Sequence, residues 1–294
     1  MQPHALHLER RPPPERTWRA LRAARIIHPF PTFLNVAATA GLGFVATDGA
    51  PDAWTLSRML LVMLCAQSAI GVANDYCDRE LDAATKPWKP IAAGVLAPRA
   101  AAWLALLLIA ATAAAASTLG AGSLALALLG LACGLAYDVR LKRTALSPVP
   151  FMVAIPTLPA WVWVTLDARD EALWWLLPLG ALAGLSLHLA NTLPDIEADA
   201  RQGVRGLAHR LGPHRAMLLA WSAFALALSM TAVLAPLLDY DLRWYAPAAA
   251  VGAGCLVASM GLRLLRRDAS ALQAGFGLIA VGTLVVAVGW LAAV

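Results

Sequence analysis

Charge is what this chain is short of. Only 14% of its 294 residues are Asp, Glu, Lys or Arg, against about a quarter in an ordinary soluble domain, so a water-facing globule is excluded. Disorder goes too, because 60% of positions are hydrophobic and such a chain has ample apolar surface to bury. The four cysteines, Cys65, Cys77, Cys133 and Cys255, form no C-x-x-C pair, which removes a disulfide scaffold and leaves them as reduced packing residues. The 21 glycines follow no triplet period, so collagen is excluded. The first thirty residues are rich in Arg and Pro and lack an apolar core of about 7–15 residues before a small-residue cleavage site, so no removable signal peptide is expected.

Long apolar runs are what the chain has. Stretches able to cross roughly 30 Å of hydrocarbon at about 1.5 Å per residue fall at 31–47, 54–74, 99–118, 122–138, 148–166, 171–193, 213–237, 243–263 and 271–294. The expected fold class is an all-α integral membrane protein of about nine transmembrane helices. All but three of the 23 Lys and Arg lie before the first span or after an even-numbered one; the exceptions are Arg58, Arg169 and Arg243. Cytoplasmic connections collect Lys and Arg. This predicts a multi-pass plasma (inner) membrane protein with a cytoplasmic N-terminus, an outer C-terminus and its functional face toward the cytoplasm. The net charge of +5 is thereby assigned to topology, and nucleic acid is not an expected partner. Residues 1–30 form a basic cytoplasmic segment. Within it, 14–29 reads either as a plain basic tail or as an amphipathic helix with Trp18, Leu21, Ile26 and Ile27 toward lipid.

The longer polar connections are all on the predicted cytoplasmic side, and residues 71–94, GVANDYCDRELDAATKPWKPIAAG, are the most informative. Asn74, Asp78 and Asp82 are spaced i, i+4, i+8, with Asp75 three before Asp78, so a continuing helix puts all four on one face. The plain reading is a solvated helix end paired through Arg79 and Glu80. Against it, an acidic helix end at the membrane interior is costly unless its charges meet cations or line a wet cavity. A second copy decides between them. In NTLPDIEADARQGVRG, residues 191–206, Asn191, Asp195 and Asp199 repeat the spacing four spans later, and so on the same side. This suggests a single domain, 31–294, made of two four-helix repeats, about 31–143 and 148–267, plus a ninth helix, enclosing a central cavity.

Two such helices bring Asp75, Asp78, Asp82, Asp195 and Asp199 around one cavity. Five unpaired carboxylates repel, and oxygen ligands without His or Cys favour Mg2+, which commonly shares its shell with substrate phosphate. A diphosphate-like ligand follows. Lys86, Lys89, Arg140, Lys142, Arg143 and Arg205 lie where its remaining charge needs them; Lys86, Lys89, Lys142 and Arg143 are the preferred contacts. Arg99, Arg210, Arg215 and the basic residues at 263–267 are assigned to topology alone.

At these residues the sequence resembles the UbiA superfamily of intramembrane prenyltransferases. The match covers NDxxDxxxD (Asn74, Asp75, Asp78, Asp82), KPxxPxxxG (Lys86, Pro87, Pro90, Gly94), YxxxxKR (Tyr137 to Arg143) and DxxxD (Asp195, Asp199) followed by Gly203. HPFPTFLN (28–35) and YDVRLKRTALS (137–147) look closest to a bacterial branch whose acceptor is unassigned. The resemblance implies transfer of a prenyl group from an isoprenyl diphosphate to a lipophilic or aromatic acceptor within the membrane lipid. It implies two Mg2+ ions, one per acidic motif, with Lys86, Lys89, Arg140, Lys142, Arg143, Asn191 and Arg205 binding substrate. Asn74, Asp78, Asp82 and Tyr137 become candidates for holding an allylic cation or receiving a proton, with no general base chosen.

Several residues depart from that pattern. Asp138 is an extra acid, expected to pair with Arg140 or Lys142. Asn191 stands where a further carboxylate would fit, and Glu197 is expected to face away. His28, His188 and Trp163 suit an acceptor pocket or cation contact, but are read in preference as interface anchors or satisfied bundle residues. Trp174, Trp175, Trp244 and Tyr245 read as an interfacial belt. Among rival classes, a transporter is disfavoured because the acids cluster at one surface rather than at the midplane. The D-x2-D-G-x2-A-R signature of CDP-alcohol phosphotransferases is absent. A UbiA-like terpene cyclase or prenyl diphosphatase is the nearest rival.

Overall fold

The computed structural model describes residues 22–168, 171–201, 203–266 and 268–294; Trp18 and Leu21 lie outside them. After a 3-10 turn at Arg25–Ile27 the helices are α1 (Pro29–Ala46), α2 (Ala53–Cys77), α3 (Arg79–Thr85), α4 (Pro98–Ser117), α5 (Ala121–Val139) and α6 (Val149–Thr165). They continue as α7 (Leu176–Thr192), α8 (Ile196–Arg201), α9 (Leu207–Leu211), α10 (Pro213–Leu234), α11 (Leu242–Leu265) and α12 (Ala269–Leu291). No strand occurs among the described residues. The protein is an all-α membrane protein.

Local chemistry sets the helix ends. Proline in the first turn of α1, α4, α6 and α10 needs no hydrogen-bond partner there. Asp52, Asp241 and Asp268 cap α2, α11 and α12 by accepting backbone N–H bonds from Thr55, Arg243 and Ala271. Eight helical stretches are long and apolar enough to cross a membrane, that from Ala172 to Asp195 including α7. Between them α6, at 17 residues, spans about 25 Å and contains Pro156 and Pro159. A ninth crossing rests on this shorter helix. The run expected at 171–193 opens instead as a 3-10 helix, Glu171–Trp175.

In the first half α2 packs against α1, α4 and α5; in the second, α7 packs against α6, α10 and α12. Contacts of α5 with α6, α1 with α6 and α12 with α1 join the halves. Small residues set the closest approach. A Cβ on Gly180 would lie 2.5 Å from the Pro156 side chain, and one on Gly184 2.4 Å from the Phe151 carbonyl oxygen, a small-xxx-small row on α7 facing α6. Phe30, Trp103 and Leu264 point outward, fully consistent with a hydrocarbon surround. Two expected orientations are corrected. Ile26 is buried against Val72 and Ile91 rather than turned to lipid, because the 3-10 turn folds back over α2. Tyr245 is buried, its hydroxyl 3.1 Å from that of Thr231, whereas Trp174, Trp175 and Trp244 are exposed as a belt requires.

Candidate active site

The first acidic motif does not run on one uninterrupted helix. The α2 helix ends at Cys77, and Asp78, at φ −96 and ψ 6, is both its cap and the start of α3. The backbone bonds nevertheless bridge the joint: Asp78 donates to Asn74 at 2.9 Å and Asp82 to Asp78 at 2.7 Å. The helical spacing therefore survives the break, and the acids stay at one end of the bundle. Lys89 gathers two of them and the Asn74 amide. Its ammonium lies 2.8 Å from Asp75 Oδ1, 2.8 Å from Asp82 Oδ2 and 3.5 Å from Asn74 Oδ1. Burial works against the Lys89 charge, and its bonds to Asp75 and Asp82 more than reverse that, so it titrates above the ordinary lysine value. Asp78 faces the other way, 2.6 Å from Lys142 and 3.7 Å from Arg143.

Asn74 is held by a second partner. Its Nδ2 donates to Asp138 Oδ1 at 2.7 Å, so Asp138 pairs with neither Arg140 nor Lys142; Lys142 is committed to Asp78, and Arg140 is exposed. His28, read in preference as an anchor or bundle residue, lies against the first acidic motif. Its Nε2 lies 2.8 Å from Asp75 Oδ1, held by a left-handed backbone (φ 50) between the 3-10 turn and α1. Gly71 admits it: a Cβ there would meet the Ile27 carbonyl carbon at 3.0 Å and His28 Cγ at 3.2 Å. The sequence signal was a His-Pro pair before the first span and a glycine one turn before Asp75.

In the second motif α7 stops at Thr192, the 3-10 turn Leu193–Asp195 contains Pro194, and α8 carries Asp199. Burial and then the neighbouring charge of Asp195 raise the Asp199 carboxyl above the ordinary carboxylate value; His209 and Lys86 pull the other way and Asp78 adds to the rise. The loop after Asp199 lies at the same end as Asp78, since Lys142, 2.6 Å from Asp78, has its carbonyl oxygen 3.0 Å from where a Cβ on Gly206 would fall. Asn191, Asp195, Lys86, Arg140 and Arg205 are exposed there, as is Glu197.

A clasp ties the connection between the two halves to the second acidic motif's flanks. Ser147 Oγ lies 3.0 Å from His188 Nε2 and accepts the Leu207 backbone N–H at 3.0 Å. Gly206 makes this possible, since a Cβ there would fall 2.9 Å from Ser147 Oγ and 3.0 Å from the Lys142 carbonyl oxygen. Beneath the charged groups Tyr137 meets Phe151 and His188 edge-on, with ring centroids 5.2 and 5.8 Å apart. Trp163 lies in the apolar core instead.

Among the described residues no three His, Cys, Asp or Glu side chains form a ready-made metal cage. Lys89 and Lys142 stand between the acids and balance their charge. The donor set still fits a hard divalent cation. It is all oxygen, Asp75 Oδ2 and Asp138 Oδ2 are buried without a hydrogen-bond partner, and Asp195 and Asp199 are adjacent like charges.

A family model described as the UbiA prenyltransferase family matches residues 34–281. Digeranylgeranylglyceryl phosphate synthase of Pyrococcus abyssi is 31% identical over 221 residues, 74% of this chain and 77% of that protein. The 4-hydroxybenzoate octaprenyltransferase of Thiobacillus denitrificans is 28% identical over 259 residues, 83% of each. Among solved structures, a UbiA homolog from Archaeoglobus fulgidus bound to GPP and Mg2+ superimposes with a TM-score of 0.73 at 16% identity, covering 90% of this chain and 99% of that one. At that identity the likeness is one of fold.

Proposed function

The chain belongs to the UbiA prenyltransferase family, and from that premise we propose that it transfers a prenyl group from an isoprenyl diphosphate to a lipophilic or aromatic acceptor within the membrane, using Mg2+ and releasing diphosphate. The observation that carries this reading is that Lys142, paired with Asp78 at 2.6 Å, has its backbone carbonyl against Gly206, so the loop after Asp199 lies beside the first acidic motif. Lysines from a third and a fourth segment, Lys89 and Lys142, lie among the acids of that motif.

Asp75, Asp78 and Asp82 on one side and Asp195 and Asp199 on the other would hold the metal. Bound Mg2+ would neutralise the diphosphate and stabilise it as a leaving group. Lys86, Lys89, Arg140, Lys142, Arg143 and Arg205 surround the same region with fixed positive charge, which is worth most where charge develops on the departing oxygen. Asn191 adds a carboxamide from α7. Asn74 is oriented by Asp138 and Lys89, so its carboxamide keeps one direction through the reaction. Tyr137, braced by Phe151 and His188, offers a ring face to an allylic cation below the diphosphate. The acceptor attacks C1 of that cation and loses a proton, completing transfer.

The same reading puts the site at the cytoplasmic face of the plasma membrane. Its support is the placement of Lys and Arg, while Arg58 and Arg243 at the other end are spent locally, on the Thr118 carbonyl at 2.8 Å and on Asp241 at 2.7 Å.

Purified protein given prenyl diphosphates and an acceptor panel tests the proposal. Mg2+-dependent diphosphate release with a prenylated acceptor is the expected result. Release without any prenylated acceptor favours a cyclase or diphosphatase, and no release overturns the reading.

A further inference from the structure

Of the basic residues that the sequence assigns to topology alone, one is built into a cleft. Arg263, in the last turn of α11, lines a half-open cleft between α10, α11, α12 and the end of α7. Ala190 and Leu193, on either side of Asn191, form one wall, which puts the cleft at the level of the second acidic motif. The other sides are apolar, with Met217 and Ala220 from α10 and Phe276 and Ile279 from α12. Gly275 lets α12 come close to α11, since a Cβ there would fall 3.2 Å from Ser259 Oγ.

The polar groups below Arg263 are already satisfied. The Trp221 indole N–H donates to Ser259 Oγ at 3.1 Å, and that hydroxyl donates to the Gly275 carbonyl at 3.4 Å, so α10, α11 and α12 are tied together one turn beneath the arginine. The guanidinium is the exception. Its one hydrogen bond among the described residues is long, from Nη1 to the Arg266 carbonyl at 3.5 Å, and most of its five N–H donors are left without an acceptor. The nearest acid along the chain, Asp268, is committed to the cap of α12 through the Ser270 hydroxyl at 2.8 Å and the Ala271 N–H at 3.2 Å. Arg215, two residues before Met217, and Arg266 are exposed at the same end. Topology asks only for positive charge in a connection; it does not ask for an unpaired guanidinium on the wall of an apolar cleft.

We propose that this cleft binds an anionic membrane phospholipid, with its phosphate on Arg263 and an acyl chain against the apolar sides. A guanidinium meets the two free oxygens of a phosphate diester with paired N–H groups, and basic pockets between membrane helices suit such head groups. A free phosphate would leave the apolar sides unused, and a choline head would bring a further cation to three arginines. Leu264 and Leu265, next to Arg263 in the chain, are 84% and 85% exposed, so the apolar surface continues outward and the acyl chain stays in hydrocarbon. The site needs neither Mg2+ nor the acidic motifs, and it stands independently of the prenyl-transfer reading.

The test gives the purified full chain phosphatidylglycerol or phosphatidylcholine in detergent and counts bound lipid by native mass spectrometry, with EDTA present so that no divalent metal bridges lipid to the acidic motifs. An arginine beside an anionic lipid is worth about fivefold in binding. With three at the mouth, wild type should hold phosphatidylglycerol about tenfold more tightly than phosphatidylcholine, or better. Arg263→Gln should weaken phosphatidylglycerol about fivefold and leave phosphatidylcholine unchanged. Gly275→Leu, which fills the cleft without altering its charge, should weaken phosphatidylglycerol as well, whereas Arg243→Gln, at the other end of the bundle, should change nothing. Glycerol phosphate, a head group without chains, should not compete at the same concentration. Equal wild-type affinity for the two lipids, undiminished phosphatidylglycerol binding by Arg263→Gln or by a folded Gly275→Leu, an equal loss in Arg243→Gln, or competition by glycerol phosphate overturns the proposal.

Discussion

Lys89 stands between two carboxylates, Asp75 and Asp82, that are almost wholly withdrawn from solvent, at 1% and 4% exposure. Removing one partner of a buried ion pair strands the other charge, at a cost of about 3–5 kcal/mol. Lys89→Met should therefore lower thermal stability strongly in a chelator, and less in excess Mg2+ if the same acids take the metal; equal loss in both would count against Asp75 and Asp82 as ligands. Asp78→Ala and Asp195→Ala should each reduce diphosphate release by about a hundredfold to a thousandfold or more while leaving membrane insertion intact. Retained activity in both variants removes the metal proposal. His28→Ala leaves Asp75 with one hydrogen bond fewer and should cost about 1–3 kcal/mol, read as a lower unfolding midpoint.

Among elements, the contact of α6 with α7 controls the site most directly. Gly180 and Gly184 let the helices touch, and His188, one turn further along the same row, meets Phe151 and Tyr137. Gly184→Ala drives a methyl against the Phe151 carbonyl, a backbone group that cannot rotate away. A loss of about 1–3 kcal/mol in stability is expected, together with a slower turnover as the ring group shifts. The clasp at Ser147 works between loops. Ser147→Ala leaves the Leu207 N–H and the His188 imidazole without their partner and loosens Lys142 relative to the second acidic motif. Its expected signature is a raised KM for the diphosphate donor with the helix content unchanged by circular dichroism.

At the scale of the whole molecule, the number of crossings fixes where the two ends of the chain lie. If α6 crosses, the two ends of the chain lie on opposite sides; if it does not, they lie on the same side, and so the two acidic motifs would leave on opposite faces. Reporter fusions should show residue 294 outside and the N-terminus inside. Apart from the membrane itself, the bundle is held by contacts between halves, α5 with α6 and α12 with α1, and the site lies where those halves meet. Substitutions along that seam should disturb activity more than equally buried ones in α10 or α11.

The apolar runs, read from the sequence alone, determined the fold class and most helix limits to within a few residues, as with 31–47 against Pro29–Ala46, because the thickness of hydrocarbon acts on the chain one span at a time. The spacing of carboxylates likewise marked both motifs before any helix was placed. Tertiary structure alone decided which charges pair: Lys89 on Asp75 and Asp82, Lys142 on Asp78, Asn74 on Asp138, and His28 drawn in from ahead of the first span. Such pairings depend on which faces of separate helices meet across the bundle, and local periodicity says which residues share a face without saying what that face meets.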